Sequence, residues 1–147
     1  MDLRLADTDQ LLADHPNQYE ATMIAKPLFQ NDWGNCLVNS NLERGGASLR
    51  FYRLIINSEW LVAYDRPEIE QYGSCIQMLD DALDWQKDKK NMDYNVFLDR
   101  ERRSDYMGQL AEFLRSDFYQ TLRHKSWIYR YLARACIRNL VRLVEQQ

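Results

Sequence analysis

Five apolar residues, Ile69, Tyr72, Ile76, Leu79 and Leu83, are separated alternately by three and four positions. That spacing returns to one side of an α-helix and to no single face of a strand. The preceding Asp65-Arg66-Pro67-Glu68 suits a helix start. Asp65 caps, Glu68 reaches back, and proline fits the first turn. The pattern predicts a helix to about Lys87, then a charged turn over Lys87–Asn91. Such a stripe must be buried against other elements, and the composition says that these are helices too. Leu occurs nineteen times, Val, Ile and Thr together fifteen times, and there are only five Gly and three Pro. Strand formers and turn residues are too sparse for many short strands.

Two more helices follow from periodicity. Ser104 is placed to cap one whose inner face is Met107, Leu110, Ala111, Leu114, Phe118 and Leu122. Residues 92–103 form its extension or a separate short turn. After a break at His124-Lys125-Ser126, a final helix packs Ile128, Leu132, Ala135, Cys136, Leu140 and Leu143. Upstream, helices are expected over Thr8–Asp14, stopped by Pro16, and over Tyr19–Lys26, with loop from Gln30 to Gly46 around a short element at Cys36–Asn39. For residues 48–64 two readings stand. Arg50, Arg53 and Asn57 recur at helical spacing, whereas a turn at Asn57-Ser58 would make a β-hairpin. The expected fold is mainly α: a small helical bundle of about five to six helices, with a short hairpin as the alternative within 48–64. The 147 residues fit a single globular domain, an irregular or helical N-terminal layer over 1–47 and a helical core over 48–147.

Glu112–Leu122 is similar to the penultimate stretch of regulator-of-G-protein-signalling domains. The family's upstream acidic-Glu-Asn signature is absent, so the likeness extends to an amphipathic helix and implies no membership.

The net charge of −3 is unevenly spread. Residues 1–97 carry −7 and residues 98–147 carry +4, and nine of the ten basic residues in the second part are Arg. In the final helix Arg130, Arg134, Arg138 and Arg142 repeat every four positions, roughly 120–160° from the apolar side at 100° per residue. Arg123 falls on the same side if the helix extends back. A guanidinium offers a planar fork for carboxylate or phosphate and stacks on rings. Trp127, Tyr129 and Tyr131 interleave with these cations, and Arg100, Arg102 and Arg103 extend the patch if they fold nearby.

No pattern assembles an active site. Asp80, Asp84 and Asp88, with Asp81 beside them, read as a solvated acidic stripe, since no Glu-x-x-His accompanies them. His124 suits a helix C-terminus, and His15 precedes a proline in a loop. Gly45-Gly46 is followed by Ala-Ser rather than Lys-Ser or Lys-Thr, so it is not a phosphate loop. No cofactor or metal is implied. Cys36, Cys75 and Cys136 are widely spaced and read as free thiols in a reducing, cytoplasmic compartment. The acidic N-terminus is not a signal peptide, and the apolar runs Leu54–Ile56 and Trp60–Tyr64 are far too short to cross a membrane. The reading is a non-catalytic interaction or regulatory module. It binds an acidic macromolecular partner, most simply a protein surface, through Arg123, Trp127, Arg130, Arg134, Arg138 and Arg142. Nucleic-acid binding by the same face is the alternative, and a homo-oligomer pairing the acidic stripe with the Arg face is also conceivable.

Overall fold

A computed structural model describes residues 40–56 and 59–146. Among them the chain is mainly α, a small helical bundle. It has six helices, α1 (Ser40–Ile56), α2 (Glu59–Val62), α3 (Arg66–Asn91), α4 (Arg103–Arg115), α5 (Asp117–Lys125) and α6 (Trp127–Glu145), and one 3-10 turn (Val96–Leu98). Residues 48–56 and 59–62 are helical, which settles that stretch against the hairpin. The elements expected before Ser40 lie outside the described residues. The chain divides into two compact units, Met1–Ser74 and Cys75–Gln147, with the boundary inside α3.

In the first unit, α1 begins at Ser40, so Gly45-Gly46 sits inside a helix and not in the expected loop. The reason is a close helix crossing. A Cβ on Gly46 would lie 2.7 Å from the Glu70 carbonyl oxygen, and one on Gly73 would collide with the Gly45 carbonyl. Helix propensity lost at glycine, about 1 kcal/mol each, is offset by that approach. Ser74 Oγ donates to the Leu42 carbonyl at 2.8 Å, and Arg50 meets Glu70 at 3.4 Å. The start of α3 is the reciprocal cap expected from its sequence. Glu68 N–H donates to Asp65 Oδ1 (2.9 Å), and Asp65 N–H donates to Glu68 Oε2 (2.8 Å). Leu42, Leu61 and Ile69 are buried here, and Tyr64 meets Tyr72 edge-on at 5.4 Å.

In the second unit, α3 continues to Asn91 rather than stopping at Lys87. Its last turn carries Lys89 and Lys90, which favour the helix C-terminus. The buried side of α3 is broader than the five-residue stripe. Cys75, Met78, Leu79, Ala82 and Trp85 are all buried, whereas Ile76 and Leu83 are half-buried. Trp85 Nε1–H donates to the Asn139 carbonyl of α6 at 3.1 Å.

The single helix expected from Ser104 to Leu122 is two helices, α4 and α5, divided at Ser116. Ser116 is extended (φ −65°, ψ 152°), and its Oγ accepts from Tyr119 N–H at 3.2 Å. The break rotates the inner face, so the buried set is Tyr106, Leu110 and Phe113, then Phe118, Tyr119 and Leu122. Met107, Ala111 and Leu114 are half-buried instead. Ser104 does not cap α4. Asp99 Oδ1 takes the N–H groups of Glu101 and Arg102 just ahead of it, at 3.1 and 3.3 Å.

The acidic stripe of α3 is only partly solvated. Asp81 is buried, and its Oδ2 accepts from Val96 N–H at 3.0 Å while Gln77 Nε2 donates to its Oδ1 at 3.3 Å. Burial pushes its carboxyl up to about 6, against the lowering effect of those two donors. Asn95, also buried, donates to the Asp81 carbonyl and to Asp88 Oδ2, both at 2.7 Å. The sequence reading of these aspartates as a surface stripe holds for exposed Asp80 and fails for Asp81. That carboxylate fastens the 3-10 turn onto α3.

Candidate functional site

α6 is fixed by its inner side. Cys136 Sγ–H donates to the Leu79 carbonyl at 3.3 Å, Asn139 Nδ2 donates to the Leu83 carbonyl at 3.1 Å, and the Trp85 bond returns to Asn139. Cys136 and Leu143 are buried, with Leu132, Ala135 and Leu140 half-buried beside them. Ile128, expected in the core, is 49% exposed. It stands in the first turn, before α6 meets α3 at Cys136. Burial pushes the thiols of Cys75 and Cys136 up to about 11 and about 12, so both stay protonated and unreactive. Both are free; Cys36 lies outside the described residues.

With the helix so rotated, Arg134, Arg138 and Arg142 face solvent. None of the three has an ion-pair partner among the described residues. Arg130, also exposed, is partly used: its Nε donates to the Arg123 carbonyl at 3.2 Å, closing the C-terminus of α5. Arg123 is half-buried and its guanidinium donates to Gln120 Oε1 at 3.2 Å. Trp127 is exposed, at 73%, and so is Tyr131, but Tyr129 is not part of the face. Its ring meets Tyr119 at 90° and its carbonyl accepts from the Tyr119 hydroxyl.

Sequence reasoning missed the apolar part of this surface. Ile137, Val141 and Val144 are each at least half exposed, beside the arginines rather than opposite them. Tyr131, Arg134, Ile137 and Arg138 line an open hollow of about 480 Å³. Ile137, Val141 and Val144 follow at four and three, the same sign that marked the core stripe of α3. The sequence thus holds two apolar stripes on α6, and among the described residues only the inner one is buried. Arg102 stacks on Tyr106 at 5.3 Å, and Arg103 is buried, so these do not extend the ridge as expected.

Among the described residues, no group of three or more His, Cys, Asp or Glu side chains is placed to hold a metal ion. His124 is exposed in the last turn of α5, and His15 lies outside the described residues. Among the described residues, no helix is long and apolar enough to cross a membrane. No family model, curated protein or solved structure matches the chain.

Proposed function

We propose that the protein is a non-catalytic interaction module that binds an acidic protein surface through the outer side of α6. The observation that carries this reading is the ridge of Arg134, Arg138 and Arg142, exposed and without ion-pair partners among the described residues, set against exposed Trp127, Tyr131 and Ile137. Arg and large aromatics are the residues enriched at energetically dominant interface positions. Carboxylates meeting the guanidinium forks supply orientation, and the apolar side chains supply burial. Arg123 and Arg130 support the site from behind by closing the α5–α6 corner. Cytoplasmic residence belongs to the same proposal, supported by two buried thiols left unpaired.

The test is fluorescence anisotropy over a range of salt with two probes. One is a labelled helical peptide with glutamates flanking a leucine stripe; the other is random-sequence single-stranded DNA or RNA. The peptide is expected to bind, its leucine-to-serine version to bind more weakly, and Arg134→Glu/Arg138→Glu to abolish binding with an unchanged circular dichroism spectrum. Peptide binding that survives the double reversal overturns the proposal. Nucleic-acid binding that falls with a log–log salt slope of about 0.7–0.9 per phosphate contact, and loses roughly two to three such contacts on removal of the arginines, replaces it with a phosphate track.

A further inference from the structure

A second hollow, independent of the α6 ridge, lies in the Cys75–Gln147 unit where α3 ends and α4 begins. It measures about 310 Å³ and is lined by Lys89, Arg100 and Arg103, by Asp93, and by the apolar side chains of Leu98 and Leu143. Arg103 is the unusual member. It is only 8% exposed, and its Nε donates to the Phe97 carbonyl at 2.5 Å. Among the described residues no carboxylate comes within ion-pair distance of it. Burial and the nearby charge of Arg100 both act against its protonated form, and Asp99 opposes them only in part. Asp99 is near but not in ion-pair contact, so the Arg103 guanidinium, on a largely buried residue, has no direct anionic partner, and a bound anion would supply one.

The surroundings repeat the message. Lys89 and Arg100 are exposed and form no ion pair among the described residues, so the lining carries three cations against the single carboxylate of Asp93. An excess of two positive charges matches a dianion better than a carboxylate. Guanidinium forks match phosphoryl oxygens in particular. Leu98 and Leu143 provide an apolar wall beside the charges. Met92 stands at the rim, 92% exposed and in the left-handed region (φ 59°). Glycine normally takes that position after a helix, at lower cost.

We propose that this hollow binds the phosphate monoester of a small organic molecule, the phosphoryl group on Arg103, Arg100 and Lys89 and the organic part against Leu98 and Leu143. The site is separate from the α6 surface and does not rest on the function proposed for it.

Titration calorimetry of the full chain at low salt tests this, at a pH above the second phosphate ionisation of about 6. The probes are phenyl phosphate, inorganic phosphate and benzyl alcohol. Phenyl phosphate is expected to bind one saturable site at least about fivefold more tightly than inorganic phosphate, as burying a ring edge implies. Benzyl alcohol is expected not to bind. Lys89→Gln and Arg100→Gln remove exposed charges without touching the core, and each should weaken phenyl phosphate by about three- to tenfold. Arg103→Lys keeps the charge but loses the fork and should weaken it further, with the fold checked by circular dichroism. Arg134→Gln/Arg138→Gln should leave it unchanged. No saturable binding up to roughly 10 mM, or binding indifferent to Lys89→Gln and Arg100→Gln, overturns the site. So does binding lost in the α6 variant instead. Equal affinity for phenyl and inorganic phosphate overturns the organic-ester assignment.

Discussion

The two sides of α6 carry similar numbers of apolar side chains and have opposite fates. Inward, Cys136 and Leu143 are buried, and three hydrogen bonds tie Cys136 and Asn139 to α3. Outward, Trp127, Tyr131, Ile137, Val141 and Val144 remain at least half exposed among arginines. The inner side is held because side chains on it reach backbone carbonyls across the interface, Cys136 and Asn139 to α3 and Trp85 back to α6. The outer side has bulky aromatics and charges at the corresponding positions. Apolar content alone therefore does not choose the core side; the side chains that can also bond across the interface mark it. The exposed apolar side, mixed with cations, is the surface on which the proposed interaction rests.

The sharpest way to break this comparison is to empty the inner side. Trp85 is fully buried and bonded to Asn139. Trp85→Ala should cost about 3–5 kcal/mol in chemical denaturation, from lost burial and the cavity left behind. Trp85→Phe should cost less, removing only the indole N–H bond, because the Asn139 carbonyl lies inside α6 and keeps its helical partner. A cost for Trp85→Ala no larger than that of an exposed substitution, about 0.5 kcal/mol, would show that α6 is not held through its inner side.

A second test sits beside that interface, in the turn that Asp81 fastens. Its carboxyl is pushed up to about 6 by burial, from an ordinary value of 3.8. The folded state therefore binds more protons than the unfolded state between those values. The contribution of this group to stability is fully present below the unfolded pKa and is lost as pH rises through about 6. At about 1.4 kcal/mol per unit, a shift of roughly two units corresponds to about 2–3 kcal/mol across that window. Denaturation midpoints for wild type minus Asp81→Asn should isolate the effect: the difference changes between mildly acidic and neutral pH and levels off above it. A difference that stays flat would mean the carboxylate is solvated, as the sequence reading had it.

That aspartate shows where sequence legibility ends. The helical class, the Asp65–Glu68 cap and the outward position of Arg134, Arg138 and Arg142 were readable, because each depends on residues within a few turns of one another. The break at Ser116 was nearly readable: a serine followed by Asp117 is a common helix start. It was hidden by an apolar period that runs on through it. Asp81, Arg103 and Gly46 were not readable at all. Their roles are set by Val96, by the Phe97 carbonyl and by the Glu70 carbonyl, partners chosen by the fold. The candidate face was half legible. Its arginines announced themselves by repeating every four positions, but Ile137, Val141 and Val144 were indistinguishable from core residues until α6 was docked.

The smallest expected effect tests the outer side directly. Arg134, Arg138 and Arg142 lie four residues apart, so the middle cation faces a like charge one turn away on each side. Such pairs destabilise a helix by about 0.2–0.5 kcal/mol each. If the ridge serves a partner rather than the fold, Arg138→Gln should be neutral or slightly stabilising, by up to roughly 0.5–1 kcal/mol at low salt. The gain should vanish near 1 M salt, where the screening length falls to about 3 Å. The sign is the informative part. A residue kept for packing or for an internal ion pair loses stability when its charge is removed, and the loss persists in salt when the packing is what mattered. A residue kept at the expense of its own helix gains. Denaturation of Arg138→Gln at low and high salt, alongside Val141→Ala to measure what the neighbouring apolar group contributes, separates the two. A loss above about 1 kcal/mol for Arg138→Gln would return the ridge to the fold and remove the contrast between the two sides of α6.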